Sequence, residues 1–268
     1  MLRIGIMTET IYRFKGLKGA LKVIKDLGFE CADITFQGES EHTKIVSYFN
    51  GKNYKEKARA LKEYADKLKL PLVQAHAPFP SLLEGKRRYN NLMWKRLLKV
   101  IEICGILKIK HLIIHPGNEY SDKDNIAFFK KLLPYAKKAN VIICSENMQK
   151  YTDISKHAEE RSCSFSKSFN NIIDSVNSKY LKGCVDIGHA EMFRYCNYSA
   201  RKLLEEMGNR VACLHIHDND LVKDKHWIPF RGKIDFKDVA KGLKAINYHG
   251  DLIVEINAKC AVNTFEEG

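Results

Sequence analysis

The 268-residue sequence has no apolar run that approaches the roughly 18 residues needed to cross a bilayer. Its 8 cysteines include no C-x-x-C pair and lie mostly in or beside apolar runs, which argues against a disulfide framework. Only 6 prolines and 16 glycines are present, so collagen-like and disordered classes are excluded. The N-terminus reaches Glu9 without a secretory apolar region, and we therefore expect a cytoplasmic protein.

Basic residues outnumber acidic ones, 45 to 32, which gives a formal net charge of +13. Such an excess permits a nucleic-acid partner. The lysines, however, are spread along the whole chain and recur at helix-like spacings, which favours solvated helix faces. Charge alone does not choose between these interpretations.

Short apolar segments alternate with longer amphipathic, lysine- and glutamate-rich segments from one end of the chain to the other. The pattern predicts strands at 3–7, 31–36, 72–77, 111–115, 141–146, 183–187, 211–217 and 252–256. It predicts helices at 17–27, 54–68, 87–106, 124–139, 166–178, 199–207 and 236–246.

Eight apolar strands joined by helices indicate parallel pairing with both sheet faces covered, and their number fits a closed (β/α)₈ barrel better than an open sheet. No proline-, glycine- or serine-rich linker divides the chain, so we expect one α/β domain over residues 1–268. Only 12 residues follow Ile256, which predicts a short or missing eighth helix.

Histidine or carboxylate side chains occur at the ends of six consecutive predicted strands, or in the loops that follow. They are His76, His115, Glu146, Asp186, His189, His215, His217, Asp224, His226 and Glu255. Catalytic residues of such barrels come from the carboxyl ends of the strands. One histidine at such a position is usually structural, but several ionised carboxylates facing one interior would repel each other at a cost of several kcal/mol each. A divalent cation removes that cost, and histidine with carboxylates is a ligand set for it.

The motifs His76-Ala-Pro, His115-Pro-Gly, Glu146-Asn, Asp186-Ile-Gly-His189, His215-Ile-His217-Asp-Asn and Asp224-x-His226 follow one another along the chain. Gly232-x-Ile-Asp-Phe and Glu255 complete the series. The series resembles the xylose isomerase-like TIM-barrel superfamily, which includes sugar and sugar-phosphate isomerases and epimerases and the endonuclease IV class of nucleases. The resemblance covers essentially the whole chain.

The resemblance implies a divalent metal, Mn²⁺, Zn²⁺, Co²⁺ or Mg²⁺, held by Glu146, Asp186, His217 and Glu255. It implies proton transfer next to the carbonyl of a sugar or sugar phosphate through an enediolate, with Glu146 and Glu255 as acid and base. His189 would contact a substrate oxygen, or would be structural.

The alternative is an abasic-site DNA nuclease with three metals. His76, His115, Glu146, Asp186, His189, His217, Asp224, His226 and Glu255 match the nine ligands of the endonuclease IV class, so four of them (His76, His115, Asp224 and His226) could bind further metal or substrate. The opening strand and the segment after His226 look less like the nuclease, and Phe230 stands where both families usually have glycine. A barrel that binds metal and sugar without turnover stays open as a third class.

Substrate contacts are expected in two places. Lys223, Lys225 and Arg231 lie in the segment after the seventh strand, where TIM barrels often bind phosphate, which favours an anionic sugar over a simply solvated basic loop. Phe79, three residues after His76, would form a wall of the sugar pocket, or a wedge against DNA in the nuclease. Nucleic acid is a partner only in that alternative, no membrane partner is expected, and the sequence leaves a homo-oligomer open.

Overall fold

The computed structural model describes residues 2–37, 47–152 and 154–256. Within these ranges the strands are β1 Ile4–Met7, β2 Cys31–Thr35, β3 Leu72–His76, β4 His111–Ile113, β5 Ile142–Glu146, β6 Gln149–Tyr151, β7 Ala158–Glu160, β8 Leu181–Asp186, β9 Val211–Ile216 and β10 Leu252–Val254. The α-helices are α1 Glu9–Asp26, α2 Tyr54–Lys67, α3 Arg87–Leu107, α4 Asp122–Ala139, α5 Ser166–Val176, α6 Ile187–Glu191, α7 Ala200–Met207 and α8 Phe236–Ala245.

Eight strands close into a parallel barrel in the order β1-β10-β9-β8-β5-β4-β3-β2. The predicted (β/α)₈ barrel is therefore confirmed, and each predicted strand corresponds to one barrel strand. The remaining strands, β6 and β7, form an antiparallel hairpin directly after β5. The hairpin and the short helix α6 were not predicted, because neither is long enough to show a hydrophobic period.

Alternate residues of the barrel strands face opposite sides. Ala32, Ile34, Leu112, Ile143, Val185 and Leu214 belong to the main apolar core that the helices cover. Ile113, Cys144, Cys184 and Cys213 form a second buried cluster, at the alternate positions that face the barrel axis. The axis of the barrel is thus filled by side chains, as in other (β/α)₈ barrels.

Side-chain caps fix where several helices begin. Ser121 accepts a hydrogen bond from the backbone N–H of Asp124 at the start of α4, and Ser199 accepts one from Lys202 at the start of α7. Asp235 accepts two backbone N–H groups at the start of α8. Each cap satisfies N–H groups that have no partner inside the helix.

The prediction of a short or missing eighth helix concerns residues after 256, which lie outside the described residues. That residues 1–268 form one domain also stays a prediction. In the part of the chain that the structure describes, no helix combines the length and the apolar character needed to span a membrane.

Candidate metal centre

Four side chains from four strands converge at the carboxyl end of the barrel. Glu146 on β5, Asp186 on β8, His215 on β9 and Glu255 just after β10 each bring a ligand atom within 4.8 Å of the others. The His215 Nδ1 atom lies 2.9 Å from Glu255 Oε2 and 3.3 Å from Glu146 Oε1. We call these four residues the central group. Three carboxylates and one imidazole are a ligand set for a divalent cation.

The central group contains three of the four metal ligands implied by the resemblance, and the assignment of the fourth, His217, stays a prediction. In the described residues it contains His215, whereas the resemblance implied His217. Asp186 pairs with His215 across β8 and β9. His217, just after β9, places its Nε2 3.1 Å from Asp186 Oδ1, so both histidines adjoin the carboxylates of the group.

A second group shares Glu146 with the first. His76 and His115 direct their Nε2 atoms at each other across 2.9 Å, and His115 Nε2 lies 3.1 Å from Glu146 Oε2. His76 Nδ1 lies 2.8 Å from the carbonyl oxygen of Ala77, so its N–H donates there and its Nε2 is left as an acceptor. An imidazole lone pair beside a carboxylate suits a cation.

A third group forms beside the barrel axis from His189, His217, Asp224 and His226. Asp224 Oδ2 lies 3.1 Å from His189 Nε2, and Asp224 Oδ1 lies 3.1 Å from His226 Nε2. The ring of His217 stacks on that of His226, with centroids 4.0 Å apart. His217 Nε2 also lies 3.1 Å from Asp186 Oδ1, which connects this group to the central one.

Local structure explains how His189 reaches this group. Asp186 ends β8 and caps α6, since its Oδ1 accepts the backbone N–H of His189 at 2.6 Å. Gly188 packs against the His217 ring so closely that a Cβ atom there would lie 1.9 Å from His217 Cε1. A glycine is therefore required between Asp186 and His189.

The segment that carries Asp224 and His226 is anchored by Asp218. The Asp218 carboxylate accepts the backbone N–H groups of Asn219, Gly232 and Ile234 at 2.8, 2.8 and 3.1 Å. Its backbone forms a reciprocal pair of hydrogen bonds with Trp227. Both ends of segment 219–234 are thus held to the end of β9.

The predicted substrate-contact residues occupy two parts of this end of the barrel. Phe79 stacks on His115 at a centroid distance of 4.7 Å, so it lies beside the second group. Lys223 and Arg231 are exposed on segment 219–234, and Lys225 is half-buried with its Nζ 5.8 Å from the centre of the Trp227 ring.

Glu146 and Asp224 keep their charge inside the site. Burial raises the pKa of Glu146, but the neighbouring His215 and His115 outweigh it and hold that pKa well below its ordinary value. Burial likewise raises the pKa of Asp224, and His189 and His226 lower it further than that. Burial lowers the pKa of His226, yet Asp224 raises it to about 10. The groups therefore form a network of opposite charges inside the barrel.

The described residues fit a divalent cation by an independent criterion. Four carboxylates of the site each have one buried oxygen that makes no well-aligned hydrogen bond within the described residues, namely Glu146 Oε2, Asp186 Oδ2, Asp224 Oδ1 and Glu255 Oε2, although imidazole nitrogens lie close to three of them. A buried oxygen without a donor is costly unless something else binds it. Oxygens with imidazole nitrogens are the donor set of Mn²⁺, Zn²⁺ and related ions.

Three polar residues that the sequence reasoning passed over support the site. Asn147 donates its amide N–H to the carbonyl oxygen of Asp186 and accepts the Asp186 N–H, at 2.9 and 2.7 Å. Gln149 donates to Asp224 Oδ2 at 3.2 Å. Asp33 on β2 lies 3.9 Å from His215 Nε2. Asn147 directly follows Glu146 and could have been found from that position; the other two lie in unremarkable sequence.

Residues 21–267 match a family model described as xylose isomerase-like TIM barrel, and the chain belongs to that family. An uncharacterised protein of Methanocaldococcus jannaschii is 24% identical over 95% of this chain and 83% of its own length.

Two solved structures share the fold. A D-tagatose 3-epimerase-like protein is 21% identical, with a TM-score of 0.76 over 99% of this chain and 95% of that one. The 3-keto-D-glucoside 4-epimerase of E. coli is 15% identical, with a TM-score of 0.72 over 100% and 97%. At these identities the likeness concerns the fold.

Proposed function

We propose that the protein is a divalent-metal-dependent sugar or sugar-phosphate isomerase or epimerase, which moves a proton next to a carbonyl. The observation that carries the proposal is the central group, because it joins two glutamates, Glu146 and Glu255, to an aspartate and a histidine at the open end of the barrel. The epimerase names of the structural neighbours support the same class of reaction.

The chemistry assigns distinct tasks to these residues. Glu146, Asp186 and Glu255 would hold the cation together with an adjoining histidine, His217 as the resemblance implies or His215 of the central group. When bound, the cation supplies the positive charge that lowers the energy of an enediolate. Glu146 and Glu255 each have one carboxylate oxygen without a well-aligned hydrogen bond within the described residues, and these oxygens would take and return the carbon-bound proton. His189 would hydrogen-bond a substrate oxygen, and Phe79 would exclude water from one side.

The direct test is incubation with a panel of keto sugars and their phosphates in D₂O, with Mn²⁺ added. We expect deuterium at the carbon next to the carbonyl, and we expect Glu146→Gln and Glu255→Gln to lower its incorporation by about 10²–10⁴-fold, the usual contribution of a positioned acid or base. Glu205→Gln is the matched control, because Glu205 lies on α7 in an exposed ion pair with Arg201. Absence of exchange with every sugar would refute the isomerase proposal.

The second candidate is hydrolysis of a phosphodiester, as in an abasic-site nuclease. The observation that favours it is the presence of several overlapping ligand groups around Glu146 and Asp186, since several cations clamp both oxygens of a displacement at phosphorus. Elemental analysis of the purified protein separates the two proposals: one metal per chain favours the isomerase, and three zinc ions favour the nuclease.

The variant His189→Asn tests whether His189 contacts the substrate or binds a metal. If His189 contacts substrate, the variant keeps its metal and loses turnover. If His189 is a ligand in the third group, the variant loses metal. Cleavage of a duplex at an abasic site, with strong salt sensitivity and loss in Phe79→Ala, would establish the nuclease when no sugar undergoes exchange.

A preference for anionic sugars is part of the proposal. Lys223, Lys225 and Arg231 lie on the segment over the site, where guanidinium and ammonium groups suit a phosphate dianion. We expect sugar phosphates to exchange faster than neutral ketohexoses, and Arg231→Ala to reduce that ratio. Equal rates with both substrate types, unaffected by Arg231→Ala, would remove phosphate recognition from the proposal.

A further inference from the structure

A groove lined by cations follows the outer face of α3, between α2 and α4, to the amino end of the barrel. It consists of two adjoining cavities of about 920 and 450 Å³, which share Gly105, Lys108, Ala139 and Asn140. Lys110 directly precedes β4, and Asn140 lies two residues before β5. We call these two cavities the α3 groove. It lies at the opposite end of the barrel from the candidate metal centre and shares no residue with the three ligand groups.

Charge in the α3 groove is more one-sided than in the chain as a whole. Among the described residues that line it, seven are cations and one is a carboxylate; the cations are Arg59, Lys95, Lys99, Lys108, Lys110, Lys138 and Lys179. Over the whole chain the basic and acidic residues number 45 and 32. The carboxylate, Glu102, is already paired with Lys55 Nζ at 2.6 Å. The fold therefore collects lysines that are dispersed in the sequence, and Lys95, Lys110 and Lys138 among them are exposed.

The length of the α3 groove suits an extended polyanion. From Lys95 to Lys108 the groove follows α3 for roughly 20 Å, at 1.5 Å of rise per residue, and Lys110 and Lys179 continue it beyond the end of the helix. One phosphate or one sugar phosphate would contact only a small part of such a row. The floor is about one helix wide, roughly 10 Å, which suits a single strand better than a duplex.

Apolar and aromatic side chains lie between these cations. Leu98 and Ile106 are half-buried along α3, and Tyr135 on α4 has 44% of its surface exposed. Trp94 supports the Tyr135 ring by an edge contact, with centroids 6.1 Å apart. Proteins that bind single-stranded nucleic acid combine a basic groove with aromatic rings on which bases stack. An acidic peptide would use the cations but has no planar base to place on Tyr135.

We propose that the α3 groove binds single-stranded nucleic acid without sequence preference. The phosphates lie along the lysines of α3 and α4, and a base stacks on Tyr135. Each phosphate that a lysine neutralises adds about 0.7 to the slope of log affinity against log salt, so binding weakens steeply as salt rises. The groove requires no metal, and the inference depends neither on the isomerase nor on the nuclease.

The test measures binding of a fluorescein-labelled oligouridylate of about 12 nucleotides by fluorescence anisotropy, at several salt concentrations and with EDTA present. Lys95→Gln/Lys138→Gln removes two charges from the groove. The matched control is Lys241→Gln/Lys244→Gln, which removes two exposed charges from α8. Helix α8 connects β9 to β10 and α3 connects β3 to β4, so the two helices lie on opposite sides of the closed barrel.

We expect the groove variant to bind about 20-fold more weakly at about 0.1 M salt, with a salt slope smaller by about 1.4, because two phosphate contacts are lost. The control should bind as the wild type does. Tyr135→Ala should weaken binding by about 10-fold and leave the salt slope unchanged, because it removes stacking and no charge. Bromouracil in the strand should cross-link to Tyr135 on irradiation, a readout that requires no variant.

Equal weakening in the groove variant and the α8 control would show attraction by net charge alone and would overturn the proposal. Equally tight binding of a glutamate oligomer with the same number of charges would overturn nucleic acid as the occupant. Absence of binding by the wild type, or cross-links confined to other parts of the chain, would also overturn it. These outcomes leave the metal centre and the isomerase untouched, since metal content and deuterium exchange test those separately.

Discussion

Two layers of side chains inside the barrel, two residues apart on the same three strands, have opposite chemistry. The lower layer has Cys144 on β5, Cys184 on β8 and Cys213 on β9, all buried and packed with Ile113. Two residues further along, the upper layer has Glu146, Asp186 and His215. Burial raises the pKa of the lower thiols, which keeps them neutral.

The lower layer fills the barrel axis, whereas the upper layer has the chemistry of a ligand site. Neutral thiols behave as small hydrophobic groups and fill the axis without demanding partners. The upper layer contains charged oxygens and a ring nitrogen that lack hydrogen bonds within the described residues, which opposes folding. Substitutions in the upper layer should therefore change ligand binding, whereas substitutions in the lower layer should change stability.

The largest expected effect is in the upper layer. Glu255→Gln preserves size but removes one negative charge from the central group, so less negative charge remains to balance the cation. Outer partners of metal ligands already contribute about 10–100-fold to affinity, and a direct ligand should therefore contribute at least about 100-fold. Chelator competition with Zn²⁺ measures it, and an affinity equal to the wild type would contradict the assignment of Glu255.

A histidine at the amino end of the barrel gives the next largest effect. His111 begins β4, and burial, with a smaller contribution from Lys110, lowers its pKa to about 4. The neutral form is therefore favoured in the folded state, while the unfolded chain binds a proton below about pH 6.5. Stability is full above that pH and falls as the pH drops towards 4, by up to about 3 kcal/mol.

Urea unfolding of the wild type and His111→Gln at several pH values isolates this contribution. The difference between the two proteins should change between pH 6.5 and 4 and stay constant above 7. A constant difference over the whole range would mean that the partial burial of His111 does not lower its pKa. The pKa of His226 is shifted in the opposite direction, upwards, because His226 faces Asp224.

Gly188→Ala tests the close contact beneath the third group. The added Cβ would lie 1.9 Å from His217 Cε1, so the His217 ring or helix α6 must move. Overpacking of this kind costs about 1–3 kcal/mol of unfolding free energy. The change should be seen in urea unfolding, and displacement of His217 should appear in its ¹⁵N signals. Gly208→Ala is not a suitable control because its φ is positive.

The smallest expected effect is in the lower layer. Cys144→Ala removes one buried sulfur atom and should lower the free energy of unfolding by about 1 kcal/mol, as other small deletions in cores do. Zn²⁺ binding should not change, although Cys144 lies only two residues from Glu146. A large loss of Zn²⁺ affinity in this variant would remove the distinction between the layers.

The barrel could be predicted from the sequence, because each strand is a short apolar run and the segments between strands show the period of an amphipathic helix. The order of the barrel strands is therefore as expected. The site was harder to predict at the level of single residues. His215 and His217 are separated by one residue, and the structure brings both of them to the carboxylates of the central group. The motif spacing alone therefore does not say which histidine binds a cation.

Asp33 shows a second limit of the sequence. It lies in the middle of an apolar strand, without a histidine or another carboxylate beside it in the chain. Asp33 and His215 lie far apart in the sequence and come close together only when the barrel closes. Local sequence carries no information about such a pair.

Because the Asp218 carboxylate accepts three backbone N–H groups, segment 219–234 keeps its place on the barrel independently of the side chains exposed along it. Both ends are fixed to the barrel and Trp227 is paired with Asp218, so exposed positions such as Val222, Lys223 and Arg231 can change in sequence without altering the strands beneath the segment. Only Asp224 and His226 within it contribute to the ligand groups. New side chains at those exposed positions could therefore change what the segment contacts while the two ligand-group residues and the Asp218 anchor are kept.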